Sequence, residues 1–239
     1  MRCYKLTIPV MLLLIFQAGK ASPYNPADTS NLWREIIKIE AVFHDTTHLS
    51  FNATFYLKDV DTVTVLDTLA GTYKTSGDKY YFSLDSTVII QNDFYHLTLY
   101  TDQKLAILTR PNTFGLNLFQ VNLNDPAFTQ MHVNYLHSTD SGAYRKISFY
   151  FKTGSPYRQL DVVYDTASHH ISSVEYDIKK NQYDGTTPDH YYHVKAVCTS
   201  YTTGAFNDTA FSMAPYFIRK NGIYSLVSPY GSYQLINNQ

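Results

Sequence analysis

The sequence predicts an α+β fold, a long antiparallel sheet with a few helices on one face. Three observations predict it. Polarity alternates with a period of two over many short runs. The links between those runs are short and carry turn chemistry, which joins antiparallel neighbours rather than crossover units. Two segments, one early and one past the midpoint, carry apolar residues at helical spacing instead.

Residues 22–29 form a loose Pro/Asp/Asn/Ser leader. Ser30 is a helix cap, and Leu32, Trp33, Ile36, Ile37 and Ile39 make an apolar stripe over about three turns. The period then becomes two. Leu49, Phe51, Ala53, Phe55 and Leu57 alternate with Ser50, Asn52, Thr54, Tyr56 and Lys58, giving one dry and one wet strand face. Further strands are expected at 62–72, 79–84, 87–91, 94–100 and 105–109. Ser76-Gly77-Asp78, Asn92-Asp93 and Thr101-Asp102-Gln103 separate them as turns. Residues 111–123 are irregular and mark the internal boundary. Asp125 then caps a second expected helix, with Pro126 at its first position and Phe128, Met131, Tyr135 and Leu136 on one face. Alternation resumes through Ile147, Phe149 and Phe151, through Leu160, Val162 and Tyr164, and through Val174, Tyr176 and Ile178. It continues in Tyr192, Val194, Ala196 and Cys198. Residues 223–236 supply one or two last strands. No repeat at a fixed period is present.

The N-terminus reads as an export signal over residues 1–21. Arg2 and Lys5 precede an apolar run from Leu6 to Phe16, and Gly19 and Ala21 are small residues before a cut at Ser22. The run is short for a bilayer span, and no second long apolar run follows. The expected mature chain, residues 22–239, is one β-rich domain in the periplasm or secreted, with no integral membrane segment. Cys3 is misplaced for lipidation, so no lipobox is expected. Loss of Arg2, Lys5 and Lys20 leaves 16 basic against 20 acidic side chains, a net charge of −4. The remaining basic residues occur in scattered pairs, which excludes an ordinary nucleic-acid surface. Only Cys198 remains, so no intramolecular disulfide forms and the thiol is expected to be buried and structural. The composition is unusual in aromatics, with 22 Tyr and 14 Phe beside one Trp. Tyrosine suits half-wet sheet faces and binding surfaces alike.

Catalytic patterns are weak. His190 and His193 point to opposite sides if they share a strand. His44 and His48 would bind metal only on a helix, and Asp45-Thr46-Thr47 reads as a turn. His169 and His170 diverge. No Gly-x-Ser-x-Gly elbow, Cys/His pair or phosphate-binding glycine loop is present. Asp59 with Asp61, or Asp161 with Asp165, could be imagined as an acid and base pair, but nothing places two of them in one cleft. The expectation is a non-enzyme without cofactor or metal. Asn52-Ala53-Thr54 and Asn207-Asp208-Thr209 match the N-glycosylation pattern.

Three stretches resemble one family. They are Ile36 to Leu57, Gly71-Thr72-Tyr73-Lys74 through Lys79-Tyr80-Tyr81-Phe82, and Leu99-Tyr100-Thr101-Asp102-Gln103-Lys104. Together they resemble the bacterial outer-membrane lipoprotein carriers of the LolA/LolB type over residues 30–110, with the second half similar in strand order alone. The resemblance implies a half-barrel, a strongly curved antiparallel sheet whose concave face is covered by helices. It implies binding or shuttling of an apolar ligand or lipoprotein acyl chains, each buried methylene contributing about 0.8 kcal/mol. Phe51, Phe55, Tyr80, Phe82, Leu97 and Leu99 would line the concavity, or pack against the two helices as core. The alternative function is a secreted β-sandwich module for carbohydrate binding or adhesion, using exposed tyrosines.

Overall fold

Alternating polarity organises the chain from Leu49 onward, and the computed structural model follows it closely. The structure describes residues 30–45, 48–62, 64–111, 133–155, 157–180, 190–204 and 206–239. The expected signal, the irregular 112–123 stretch and the Asp125–Met131 part of the second expected helix lie outside them.

Helix α1 spans Ser30–Asp45. It is followed by β1 (Leu49–Asp59), β2 (Val65–Ser76), β3 (Lys79–Leu84), β4 (Thr87–Gln91), β5 (His96–Tyr100) and β6 (Leu105–Thr109). The second half holds β7 (Val133–Ser141), β8 (Tyr144–Phe151), β9 (Tyr157–Asp165), β10 (Ile171–Lys179) and β11 (Tyr191–Thr202). A short 3-10 turn at Asp208–Phe211 precedes β12 (Phe217–Lys220), β13 (Ile223–Leu226), a second 3-10 turn and β14 (Gln234–Asn238).

Twelve of these strands hydrogen-bond in the order β14-β6-β5-β4-β3-β2-β1-β11-β10-β9-β8-β7, while β12 and β13 form a separate ribbon. The sheet is unclosed. Its described neighbours are antiparallel except β14, which runs parallel to β6. This fits the α+β half-barrel class expected from the sequence. It does not fit the two-sheet sandwich of the alternative reading.

The chain divides into two compact units. The first comprises the described parts of Met1–Val42, Thr54–Leu69 and Leu118–Thr199. Its strands β8 to β11 are in cross-strand register, Ile147 beside Val162, Val162 beside Val174, and Val174 beside Ala196. Ile147, Phe149, Val162, Tyr164, Tyr176, Ile178, Val194 and Ala196 make its buried apolar face. Helix α1 contributes Ile36 and Ile39 to the buried set, and the Tyr164 hydroxyl donates to Glu35 of the helix at 3.1 Å. Burial raises the Glu35 carboxyl, but hydrogen bonds from Lys38 and Tyr164 outweigh it and hold the group below the usual carboxylate range. The other face is charged. Asp177 on β10 accepts from Arg158 Nε of β9 at 3.0 Å and lies 2.8 Å from His193 Nδ1 of β11.

The second unit comprises Phe43–Ala53, the described parts of Ala70–Asn117, and the described parts of Ser200–Gln239. One face of β4 to β6 packs Ile90, Leu97, Leu99, Ala106 and Leu108 against Met213 and Phe217 of the C-terminal segment. Tyr216, Tyr224, Leu226, Tyr230 and Leu235 complete that cluster.

Four expectations are corrected. Helix α1 runs 16 residues rather than three turns, because no helix breaker follows Ile39. Ile37 is exposed, so the buried stripe is narrower than the one read from the sequence. Tyr135 and Leu136, expected on a helical face, lie in β7, where Leu136 pairs with Phe149 and Tyr135 stacks on Tyr150 at 4.4 Å. Cross-strand aromatic pairing outweighs the helical spacing there. Cys198 is half-buried rather than fully buried.

Candidate functional site

Strands β2 to β6 set cross-strand partners into rows on the second unit's other face. One row is Tyr73, Phe82, Ile89, Thr98 and Ile107. The next is Thr75, Tyr80, Gln91, His96 and Thr109. The first is mostly apolar and the second is polar throughout.

Five rings meet beside the apolar row. Phe51 of β1 stacks flat on Tyr73, centroids 4.7 Å apart and planes 2° apart. It also stacks on Tyr201 of β11 at 5.0 Å. Tyr73 meets Phe82 at 4.5 Å, and Phe43 from the last turn of α1 meets Phe51 edge-on at 5.9 Å. Strand alternation places Phe51, Tyr73 and Phe82 here, while the length of α1 brings Phe43. The rings reach the cluster from one helix and four strands.

The polar row is a hydrogen-bonded chain. Gln91 Nε2 donates to the Asp78 carbonyl at 3.1 Å, which leaves Gln91 Oε1 as an acceptor 3.2 Å from His96 Nδ1. The Tyr80 oxygen lies 2.9 Å from the same Nδ1, and Nε2 lies 3.2 Å from Thr98 Oγ1. Burial pushes the His96 pKa down and the Tyr80 pKa up, so both groups are neutral around pH 7. Thr75 Oγ1 is buried with no hydrogen-bond partner among the described residues.

The six residues expected to line a ligand surface divide between two faces and both units. Phe51, Tyr80 and Phe82 share the ring-bearing face. Leu97 and Leu99 are on the opposite face, in the cluster covered by the C-terminal segment. Phe55 belongs to the first unit, on the same side of β1 as Phe51. All six are buried, none more than 5% exposed. Tyr73, legible from the Leu69, Gly71, Tyr73 alternation, is an additional member. Phe43 and Tyr201 carried no signal, since neither a helix's final turn nor a long-range ring contact shows in local spacing.

The other sequence candidates are held in ion pairs or turns. Lys180 reaches Asp59 at 2.6 Å and Asp61 at 2.7 Å. Its hydrogen bond leads the causes that hold both carboxyls below their usual range. A glycosidase acid needs the opposite shift. Asp161 pairs with Lys146 at 3.4 Å, while Asp165 accepts from the backbone N–H groups of Ala167 and Ser168 in a turn. His190 meets Asp61, His193 meets Asp177, and His169 lies 3.5 Å from Glu35. His48 meets Phe206 edge-on. Among the described residues no three His, Cys, Asp or Glu side chains gather as a metal site. None of the described helices is long and apolar enough to cross a membrane.

No family model and no curated protein matches the chain. Solved structures do. The fold is similar to a LolA superfamily protein from Nitrosomonas europaea. The two share 6% identity over 75% of this chain and 96% of that one, with a TM-score of 0.35. A conserved uncharacterized protein from Thermus thermophilus shares 5% identity over 87% of this chain and 100% of that one, at a TM-score of 0.48. A DUF1329 family protein from Desulfovibrio piger shares 10% identity over 80% and 99%, at 0.37.

Proposed function

We propose that this protein is an exported, non-catalytic carrier that holds an apolar or acyl-bearing ligand against the Phe51, Tyr73 and Phe82 face. One observation supports the reading above the others. Phe43 of α1 lies edge-on against Phe51, while Tyr73 and Tyr201 flank Phe51 on the neighbouring strands, so rotation of Phe43 opens the row of stacked rings without unpairing a strand. Tyr80, between Thr75 and Gln91 in the adjoining polar row, continues that wall, whereas Phe55 belongs to the first unit and takes no part in it. Leu97 and Leu99 serve the core beneath the C-terminal segment in the same proposal.

An acyl chain entering here exchanges ring contacts for methylene contacts. Each methylene removed from water contributes about 0.8 kcal/mol, and part of the sum is lost in ordering the chain and moving the Phe43 ring. The reading needs no cofactor. The cluster offers no nucleophile, and its one histidine is neutral and hydrogen-bonded.

The test is a titration of the purified chain with a fluorescent fatty acid. Saturable binding with a Kd of about 1 μM or tighter is expected. Phe51→Leu and Tyr73→Leu keep an apolar side chain but remove the ring, and should weaken it about ten-fold while the protein remains folded by circular dichroism. A folded protein that binds nothing, or leucine variants that bind like the parent, would overturn the carrier. Export is tested separately. The protein expressed with its first 21 residues should be recovered outside the cytoplasm with Ser22 as its N-terminus, and an uncut cytoplasmic chain contradicts that part.

A further inference from the structure

One hydroxyl in the polar row stands apart from its neighbours. Gln91 Nε2 donates to the Asp78 carbonyl, and His96 lies within hydrogen-bond reach of Gln91, Tyr80 and Thr98. Thr109 Oγ1 donates to the Arg110 carbonyl at 3.1 Å. Thr75, at the β2 end of the row, breaks that pattern. Its Oγ1 is buried and has no hydrogen-bond partner among the described residues. A buried hydroxyl left unpaired costs stability, and native folds keep few of them. Valine has nearly the same shape and avoids that cost. The hydroxyl at this position is therefore suited to a partner from outside the chain.

Its surroundings say what kind of partner. Thr75 sits two residues from Tyr73 on the same side of β2 and directly across from Tyr80 in the β2–β3 ladder. It is thus placed where the polar row adjoins the Tyr73 and Phe82 end of the apolar row. Neither row contains Asp, Glu, Lys or Arg. Lys74 is on the opposite side of β2, over the Tyr81 ring, and Lys79 pairs with Asp93 and Asp208 at 3.6 and 3.4 Å. Burial disfavours the charged form of His96. A carboxylate or phosphate brought to Thr75 would leave water with no cation in either row to meet it. A ligand hydroxyl carries no charge, and it can donate to Thr75 Oγ1 or accept from it.

We infer that the ligand is an acylglycerol, an acyl chain on an uncharged hydroxylated head, and that Thr75 Oγ1 hydrogen-bonds the head while the chain lies along the Tyr73 and Phe82 row. The inference rests on the carrier reading of that face and names the class of its ligand. Free fatty acids bind through the chain alone and leave the Thr75 hydroxyl unpaired.

Competition against a bound fluorescent fatty acid tests it. The competitors are monolauroylglycerol and laurate, which share one acyl chain and differ in the head. The glyceride should displace the probe at about ten-fold lower concentration than laurate. Thr75→Val should bring the two competitors to equal potency while melting at or above the parent temperature. Thr75→Ser keeps the hydroxyl and should keep the preference. Equal potency in the parent, or a preference for laurate, overturns the acylglycerol head and leaves acyl binding standing. A glyceride preference that Thr75→Val retains in full does the same and assigns the hydroxyl to a bound water. A probe that does not bind at all overturns the carrier and this inference together.

Discussion

Asp177 ties three adjacent strands through one carboxylate, because β10 lies between Arg158 on β9 and His193 on β11. Burial alone raises its pKa, but hydrogen bonds from His193 and Arg158 prevail and leave it lowered. A depressed folded pKa places the stabilisation above the unfolded value of 3.8, and it disappears as pH falls through the folded value. Asp177→Asn should therefore lower stability by about 1–3 kcal/mol at neutral pH and shrink the loss of Tm below pH 4. Thermal melts of the two proteins from pH 2 to 7 check both effects. Thr75 illustrates the opposite case. Its buried Oγ1 has no partner among the described residues, so Thr75→Val, matched in shape, should leave Tm unchanged or raise stability by up to about 1 kcal/mol. None of these pairings was legible in the sequence. Arg158, Asp177 and His193 are polar residues on three successive strands, and only the register makes them neighbours.

At the scale of elements the sequence was readable wherever one face is dry. The bounds of β3, β4 and β6 match the expected runs residue for residue, with Tyr80, Phe82 and Leu84 buried along one side of β3 and Ala106 and Leu108 along one side of β6. Reading failed where both periods fit. Tyr135 and Leu136 suit a helix with Phe128 and Met131, yet pairing with β8 places them in a strand. Gly71 gives an element-level prediction. A Cβ at this position would come within 2.6 Å of the Ser83 carbonyl oxygen of the neighbouring strand. Gly71→Ala should therefore force β2 and β3 apart and cost about 1–3 kcal/mol in chemical denaturation, although its backbone needs no left-handed conformation. The β5 histidine is a second. Burial holds His96 neutral, so its ring protons should titrate below the usual histidine midpoint in an NMR pH series.

For the whole molecule, alternation and short links were enough to identify an α+β chain with one long antiparallel sheet. They did not say which apolar residues share a face across strands. Leu97 and Leu99 alternate in their own strand as regularly as Phe82 does, but register turns them toward Met213 and Phe217. The ring cluster draws on residues from Phe43 to Tyr201, a span no local pattern covers. The central claim is that this cluster accepts an acyl chain, and nuclear Overhauser contacts measure it most directly. With a perdeuterated fatty acid as blank, a protonated one should give cross-peaks from its methylenes to the ring protons of Phe51, Tyr73 and Phe82. Cross-peaks confined to surface residues, or their absence under saturating ligand, would contradict the account.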